Sequence, residues 1–312
     1  LKLVDINQAK KLLLNGDVVA LPTETVYGLG GWIYSEEGLK NIFRTKERPF
    51  FDPLIVHIDS IKKAKALTQE WTQIHEILAQ RCWPGPLTLI AKKNDRINPL
   101  ITSGLDSVGL RCPRHPKTLE LLSQIEGGVA APSANKFGKT SPTSSRHVEQ
   151  EFGDLVSILE GGPSEVGIES TVIGLSEGKV EIFRPGFYTS KMLSSILKEN
   201  GIKTDVIYSE SPVAPGQLKH HYMPKIPLVI VPENFIWATR VLEINLPFKN
   251  PVIWKQSLSP EIAGRELYQK MRDFDEQGFD IIFAERSPHQ FSEEWLGIWN
   301  RLDKAKSQTL LK

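Results

Sequence analysis

Cations and hydroxyls recur in this chain beside short apolar runs, in a pattern suited to holding two anions. "RTKERPFFDPLIVHI" carries Lys46 and Arg48 at the end of a helical stretch, just before Pro49. Basic side chains there complement a helix dipole. They are also the pair that clamps a polyphosphate, arginine bidentate and lysine as a point charge. "SVGLRCP" sets Arg111 inside an apolar strand, where a guanidinium needs an anionic partner and a carboxylate ligand would serve. "IFRPG" closes another strand with Arg184. "LPTETVYGLGG" spaces Thr23, Thr25 and Tyr27 alternately, either as cross-strand packing or as hydroxyls facing a small polar ligand. Its glycines mark places where backbone bends or approaches closely. "GIESTVIG" leads Glu169, Ser170 and Thr171 into a strand, and His57 ends another, as a satisfied core histidine or a ligand contact.

"VAAPSANKFGKTSPTS" nearly spells a Walker A loop, since Gly138-Lys139-Thr140 supplies its second half. Ser133 stands where the first glycine should, and Pro142 delays the helix that must follow. A true P-loop is therefore not expected.

The elements that must position these residues alternate along the chain. Helical patterns cover 7–16, 35–49, 60–81, 116–126, 144–152 and 189–200, with Ser35 as an N-cap and Gly16 as a C-terminal stop. Strand-like runs are "VVALP", "PLIVHI", "PLTLIAKK", "SVGLRCP", "GVAAPSA", "LVSILEG", "STVIGL" and "KVEIFRPG". Residues 1–204 read as one α/β domain with an open twisted sheet, its ligand residues near strand ends. Residues 205–224 hold three prolines and no periodicity, the mark of a linker or a functional lid. Residues 225–312 alternate as strand "PLVIV", a helix near 233–243, strand "PVIWK", helix 259–277, strand "DIIFAE" and helix 292–306. That order implies a small parallel sheet.

Bulk composition narrows the class. Of 312 residues, 40% are hydrophobic and 24% charged, enough for real cores in a soluble protein. The net charge of +1 leaves no global field to draw a nucleic acid, so any such partner must meet a local patch. Two cysteines, Cys82 and Cys112, suit a reducing compartment and give no metal-ligand spacing. No apolar run is long enough to span a bilayer, and no signal-peptide pattern stands at the start, so a cytoplasmic protein without membrane association is expected.

Taken in order, "PTETVYGLG", "KERP…DPLIVH", "WPGPLTLI", "GLRCPRHP", "APSAN…SPT", "GIESTV", "RPG" and "APGQLKHHY" resemble the successive blocks of the YrdC family, in its long form with an extra C-terminal domain. The resemblance implies a YrdC-like twisted open sheet with helices and a large concave cavity, plus a small Rossmann-like α/β C-terminal domain. It implies synthesis of L-threonylcarbamoyladenylate from L-threonine, bicarbonate and ATP with release of pyrophosphate. The product serves N6-threonylcarbamoylation of adenosine 37 in tRNA, completed by a separate transferase complex. By the resemblance, threonine lies against Thr23, His57, Arg111, the backbone at Ala131, and Ser170. The nucleotide is met by Lys46, Arg48, Asp52, Ser107, Ser133, Asn135, Ser141, Arg184 and Gln217, with Lys46, Arg48 and Arg184 acting in catalysis. Relatives often carry Asn where Asp52 stands, and an acid beside phosphates is less welcome. Mg2+ is expected with ATP, held through its phosphates and not by a protein ligand set. The rival reading is a double-stranded RNA or tRNA-binding module; weak RNA binding could also accompany the enzyme. A carbamoyl-adenylate domain of hydrogenase maturation would sit in a larger chain with zinc-finger segments, which this sequence lacks.

Overall fold

A computed structural model of the chain describes residues 2–50, 52–209, 221–235 and 248–309. Two compact units result, one of Leu1–Phe137 and Ser141–Gln217, the other of Gly138–Thr140 and Leu218–Lys312.

The strands of the first unit are β1 (Leu3–Val4), β2 (Val19–Leu21), β3 (Gly28–Trp32), β4 (Ile55–His57), β5 (Leu87–Lys92) and β6 (Ser107–Arg111). They continue with β7 (Val129–Ala130), β8 (Ser157–Leu159), β9 (Thr171–Ser176), β10 (Lys179–Arg184) and β11 (Val206–Tyr208). Together they form one mixed sheet ordered β1-β8-β2-β3-β7-β4-β6-β5-β9-β10-β11. The helices are α1 (Ile6–Leu14), α2 (Glu36–Lys46), α3 (Ile61–Leu67), α4 (Gln73–Cys82), α5 (Pro99–Thr102), α6 (Pro116–Ser123), α7 (Ser145–Phe152) and α8 (Ser190–Glu199).

One sheet face is buried by helices. Val56, Val108 and Leu110 pack with Leu39, Ile42 and Phe43 of α2 and with Ala64 and Leu67 of α3. Leu87, Leu89, Ile173 and Ile182 pack under α4 and α8. The glycines of β3 serve close approach, as their sequence suggested. A Cβ at Gly30 would lie 2.8 Å from Val129 and 2.9 Å from Leu21.

Three sequence expectations shift. The helix expected over 35–49 starts from the Ser35 cap but ends at Lys46, because Glu47 turns left-handed with φ 53°. The Arg48 N–H then reaches back to the Phe43 carbonyl at 3.0 Å, which takes Arg48 out of the helix. The stretch 60–81 is two helices: Thr68 is extended and bridges to Lys93, and Thr72 caps a new start by accepting from the His75 N–H. Finally, β11 falls in what reads as the start of the linker, paired parallel to β10.

In the second unit β12 (Leu228–Pro232), β13 (Pro251–Trp254), β14 (Ile281–Arg286) and β15 (Gln308–Thr309) form a sheet ordered β13-β14-β12-β15. Every pairing in it is parallel, as the alternating pattern implied. Helices α9 (Pro260–Glu276) and α10 (Leu296–Ala305) connect these strands, α10 being preceded by two 3-10 turns, of which only Glu293–Trp295 lies within the expected 292–306 span. Most of the helix expected near 233–243 lies outside the described residues. Gly138–Thr140 belongs to this unit by contact: the Met223 N–H donates to the Gly138 carbonyl at 2.8 Å, and Arg272 donates to the Thr140 carbonyl at 2.7 Å. Among the described residues no helix is long and apolar enough to cross a membrane.

Candidate functional site

Strand register gathers the singled-out residues on the sheet face opposite the helical core of α2–α4 and α8. In β4 and β6, which run parallel, Ile55 stands opposite Gly109 and His57 opposite Arg111. β5 is antiparallel to β6 and sets Ile90 opposite Gly109 and Lys92 opposite Ser107. Thr88 of β5 faces Val172 of β9, and Arg184 of β10 faces the same Val172. Directly opposed residues share a face, as do residues two apart along a strand. His57, Arg111, Ser107, Thr88 and Arg184 therefore look the same way. Ile55, Val172, Ile90 and Phe183 pack as a small apolar cluster among them.

Arg184 reaches that face through a bulge. Register shifts between Ile182 and Arg184, so the strand carries one extra residue, Phe183, there. A Cβ on Gly174 would meet the Phe183 ring at 2.7 Å, so the aromatic lies over a glycine. Arg184 then donates from Nε to the Ser170 carbonyl at 3.1 Å and from Nη2 to the Ser170 hydroxyl at 3.1 Å. The Ser170 hydroxyl also exchanges a 2.8 Å hydrogen bond with Thr88.

Around Arg111 the structure supplies an acid that sequence reasoning passed over. Glu24 Oε1 stands 2.8 Å from Arg111 Nη2, with both side chains nearly inaccessible. Arg111 Nε also leans on the Gly85 carbonyl at 3.4 Å. The charge in that strand thus has an internal partner, which answers the question Arg111 poses without any ligand. His57 beside it is neutral: burial first, then the positive charge of Arg111, press its pKa down to about 3. Thr23 is buried and organises its own turn. Its hydroxyl donates to the Val26 carbonyl at 2.6 Å and accepts from the Thr25 and Val26 N–H groups. The Ala131 N–H is engaged by the Ile55 carbonyl at 2.9 Å.

The second cluster is cationic. The Lys46 ammonium donates to the Ser133 carbonyl and to the Asn135 carbonyl, tying α2 to the loop after β7. Burial, then the charge of Arg48, lowers its pKa well below the ordinary lysine value. Arg48 pairs with Asp52, Nη2 to Oδ2 at 2.8 Å, and donates to the Asp52 and Pro53 carbonyls. Asp52 is pulled two ways: burial raises its pKa, while Arg48, Lys46 and Arg184 lower it, and burial prevails. That one carboxylate feels all three cations places them in one neighbourhood. Ser141 donates to Glu169 Oε1 at 2.6 Å, both residues buried. Ser107 opens β6, four residues before Arg111, roughly 13 Å along the strand at the usual rise. Gln217 lies outside the described residues, as does most of the proline-rich stretch that reads as a lid.

The near-Walker loop behaves as its sequence implied. Helix α7 begins only at Ser145, and the loop directs the Ser133 and Asn135 carbonyls, not a run of N–H groups, at Lys46. Glu24 is the residue that sequence reasoning missed, while Glu169 is noted in its block without a role in the site. Their signal was present, since each acid stands between hydroxyls or beside one in "TET" and "IES", but an acid is not sought where anions are to bind.

The chain is similar to known proteins over nearly its full length. The Sua5/YciO/YrdC family model, described as Telomere recombination, matches residues 11–186, and the model described as Threonylcarbamoyl-AMP synthase, C-terminal domain, matches 188–307. A threonylcarbamoyl-AMP synthase of Pyrococcus abyssi is 36% identical, covering 98% of this chain and 95% of its own. One of Bacillus subtilis is 35% identical, over 98% and 94%. The crystal structure of P. abyssi Sua5 complexed with L-threonine superposes with a TM-score of 0.85 at 33% identity, covering 98% of this chain and 96% of that one. The mixed sheet and the separate parallel sheet are those of that fold. On two consecutive domain matches and these full-length likenesses, the chain belongs to the Sua5/YciO/YrdC family, in the form that carries the threonylcarbamoyl-AMP synthase C-terminal domain.

Proposed function

We propose that this chain makes L-threonylcarbamoyladenylate from L-threonine, bicarbonate and ATP, releasing pyrophosphate, for N6-threonylcarbamoylation of adenosine 37 in tRNA by a separate transferase complex. The relatives' activity and the threonine held by the P. abyssi protein support the substrates. The observation that carries the reading is one sheet face bearing Arg111 beside neutral His57 and, through the β10 bulge, Arg184, whose charge acts on Asp52, the partner of Arg48.

Threonine takes the first cluster. Its carboxylate meets Arg111, and its other polar groups meet Thr23, His57, the Ala131 backbone and Ser170. His57, uncharged at working pH, serves as a hydrogen-bonding group and not as a cation. ATP takes the second, with Lys46, Arg48 and Arg184 on its phosphates and Asp52, Ser107, Ser133, Asn135, Ser141 and Gln217 along the nucleotide. The threonine amine adds to bicarbonate with loss of water, and the resulting N-carboxylate attacks the α-phosphorus while pyrophosphate leaves. No protein nucleophile is required; positioning and neutralisation of developing charge do the work. Because Asp52 is already paired with Arg48, the side chains suit a Mg2+ that arrives with ATP, held through phosphate oxygens, and supplies charge neutralisation there. A cytoplasmic location fits this reading.

The decisive test is incubation with ATP, labelled bicarbonate and each of several amino acids. Pyrophosphate release that depends on threonine is expected. Release indifferent to the amino acid, or none beside salt-sensitive RNA binding, would favour the RNA module instead. A variant tests the phosphate side. Asp52→Asn removes an acid from beside the polyphosphate and the charge that offsets Arg48, so the KM for ATP is expected to fall by about threefold or more. A KM that stays level or rises would move Asp52 away from the nucleotide.

A further inference from the structure

A buried ion pair is a poor way to add stability, because desolvating both charges cancels most of their attraction. The Glu24–Arg111 pair nonetheless sits nearly inaccessible on the face where a ligand would lie. Glu24 is held on several sides. Its Oε2 accepts the Arg114 N–H at 3.0 Å, and its carbonyl accepts the Val166 N–H at 2.7 Å. Arg111 is correspondingly restricted: Nη2 stands at Glu24 and Nε at the Gly85 carbonyl, while Nη1 donates to none of the described residues.

We propose that Glu24 is an internal counter-anion that sets the selectivity of Arg111, leaving only its Nη1 edge for an amino-acid carboxylate and turning small free anions away. The inference rests on the threonine site placed above. An unpaired guanidinium in a buried site attracts any anion strongly. Paired with Glu24, it offers an incoming carboxylate little net charge, so a ligand must add further contacts to bind. Threonine can do so through its amine and hydroxyl, toward Ser170 and His57. A bare monoanion such as formate cannot. Glu24 is thus a specificity-determining residue that acts through Arg111, without touching the substrate.

The test is competition by sodium formate against threonine in pyrophosphate release by the full chain, at constant ionic strength. Glu24→Gln keeps the size of the side chain and an acceptor for the Arg114 N–H but removes the charge. It is expected to lower the formate inhibition constant by about tenfold or more, while the KM for ATP stays at the parent value. A purely structural role for Glu24 would not produce that anion dependence. Should Glu24→Gln fail to fold, Glu24→Asp, which keeps the charge but withdraws it by one methylene, is expected to give a smaller fall of the same sign. A parental formate constant in the folded variants overturns the inference. Arg111→Lys separates the two readings. If it keeps parental threonine saturation, the threonine site itself is misplaced. If it loses saturation while the Glu24 variants resist formate as the parent does, only the counter-anion idea fails.

Discussion

Lys46→Ala is expected to cut threonine-dependent pyrophosphate release by about a hundredfold to a thousandfold, the range seen when one fixed electrostatic donor leaves an active site. Two losses combine in this variant. The cation that would face the polyphosphate goes, and the Ser133 and Asn135 carbonyls, both receivers of the Lys46 ammonium, lose their donor. The loop after β7 then loses both side-chain ties to α2 and keeps the Phe137 N–H bond to the Lys46 carbonyl at 2.8 Å. Lys46→Met separates the two effects from packing, because it fills nearly the same volume without charge or donor. It is expected to resemble Lys46→Ala in rate while melting closer to the parent. Lys46→Arg should rescue little, since a planar fork does not fit where a compact ammonium bonds two carbonyls. Near-parental release by Lys46→Ala, with the fold intact, would remove Lys46 from the phosphate clamp.

Much of this arrangement was legible in the sequence because its signals are local. Apolar runs of four to six residues marked most strands, Ser35 marked the start of α2, and arginines inside apolar runs flagged themselves. What escaped depends on contacts remote in sequence. Glu24 and Arg111 lie 87 positions apart, and nothing near either one says that they meet. The bulge that brings Arg184 to the face of His57 and Arg111 is an offset between β9 and β10, invisible in either strand alone. Helix ends were misjudged for a similar reason. Pro49 looks like the stop for α2, but a left-handed Glu47 ends the helix earlier and frees Arg48 to pair with Asp52. The split in 60–81 likewise follows from Thr68 bridging to Lys93, a pairing that local helical propensity does not anticipate.

In the proposed reading Arg184 serves both substrates, and this makes its replacement the more informative of the large effects. Its guanidinium is anchored on Ser170 by two bonds, one to the carbonyl and one to the hydroxyl, and its charge reaches Asp52 in the phosphate cluster. Arg184→Ala is therefore expected to lower kcat by about a hundredfold or more through lost stabilisation of the departing pyrophosphate. It should also raise the KM for threonine, because the Ser170 hydroxyl loses a donor and is left to Thr88 alone. A residue that served phosphate only would leave threonine saturation unchanged. The coupling is measured with Ser170→Ala: if the two side chains act as one unit, the double variant loses much less than the sum of the single losses. Strict additivity, with threonine KM at the parent value in Arg184→Ala, would show that the two clusters work independently and that the shared face of the sheet does not connect them.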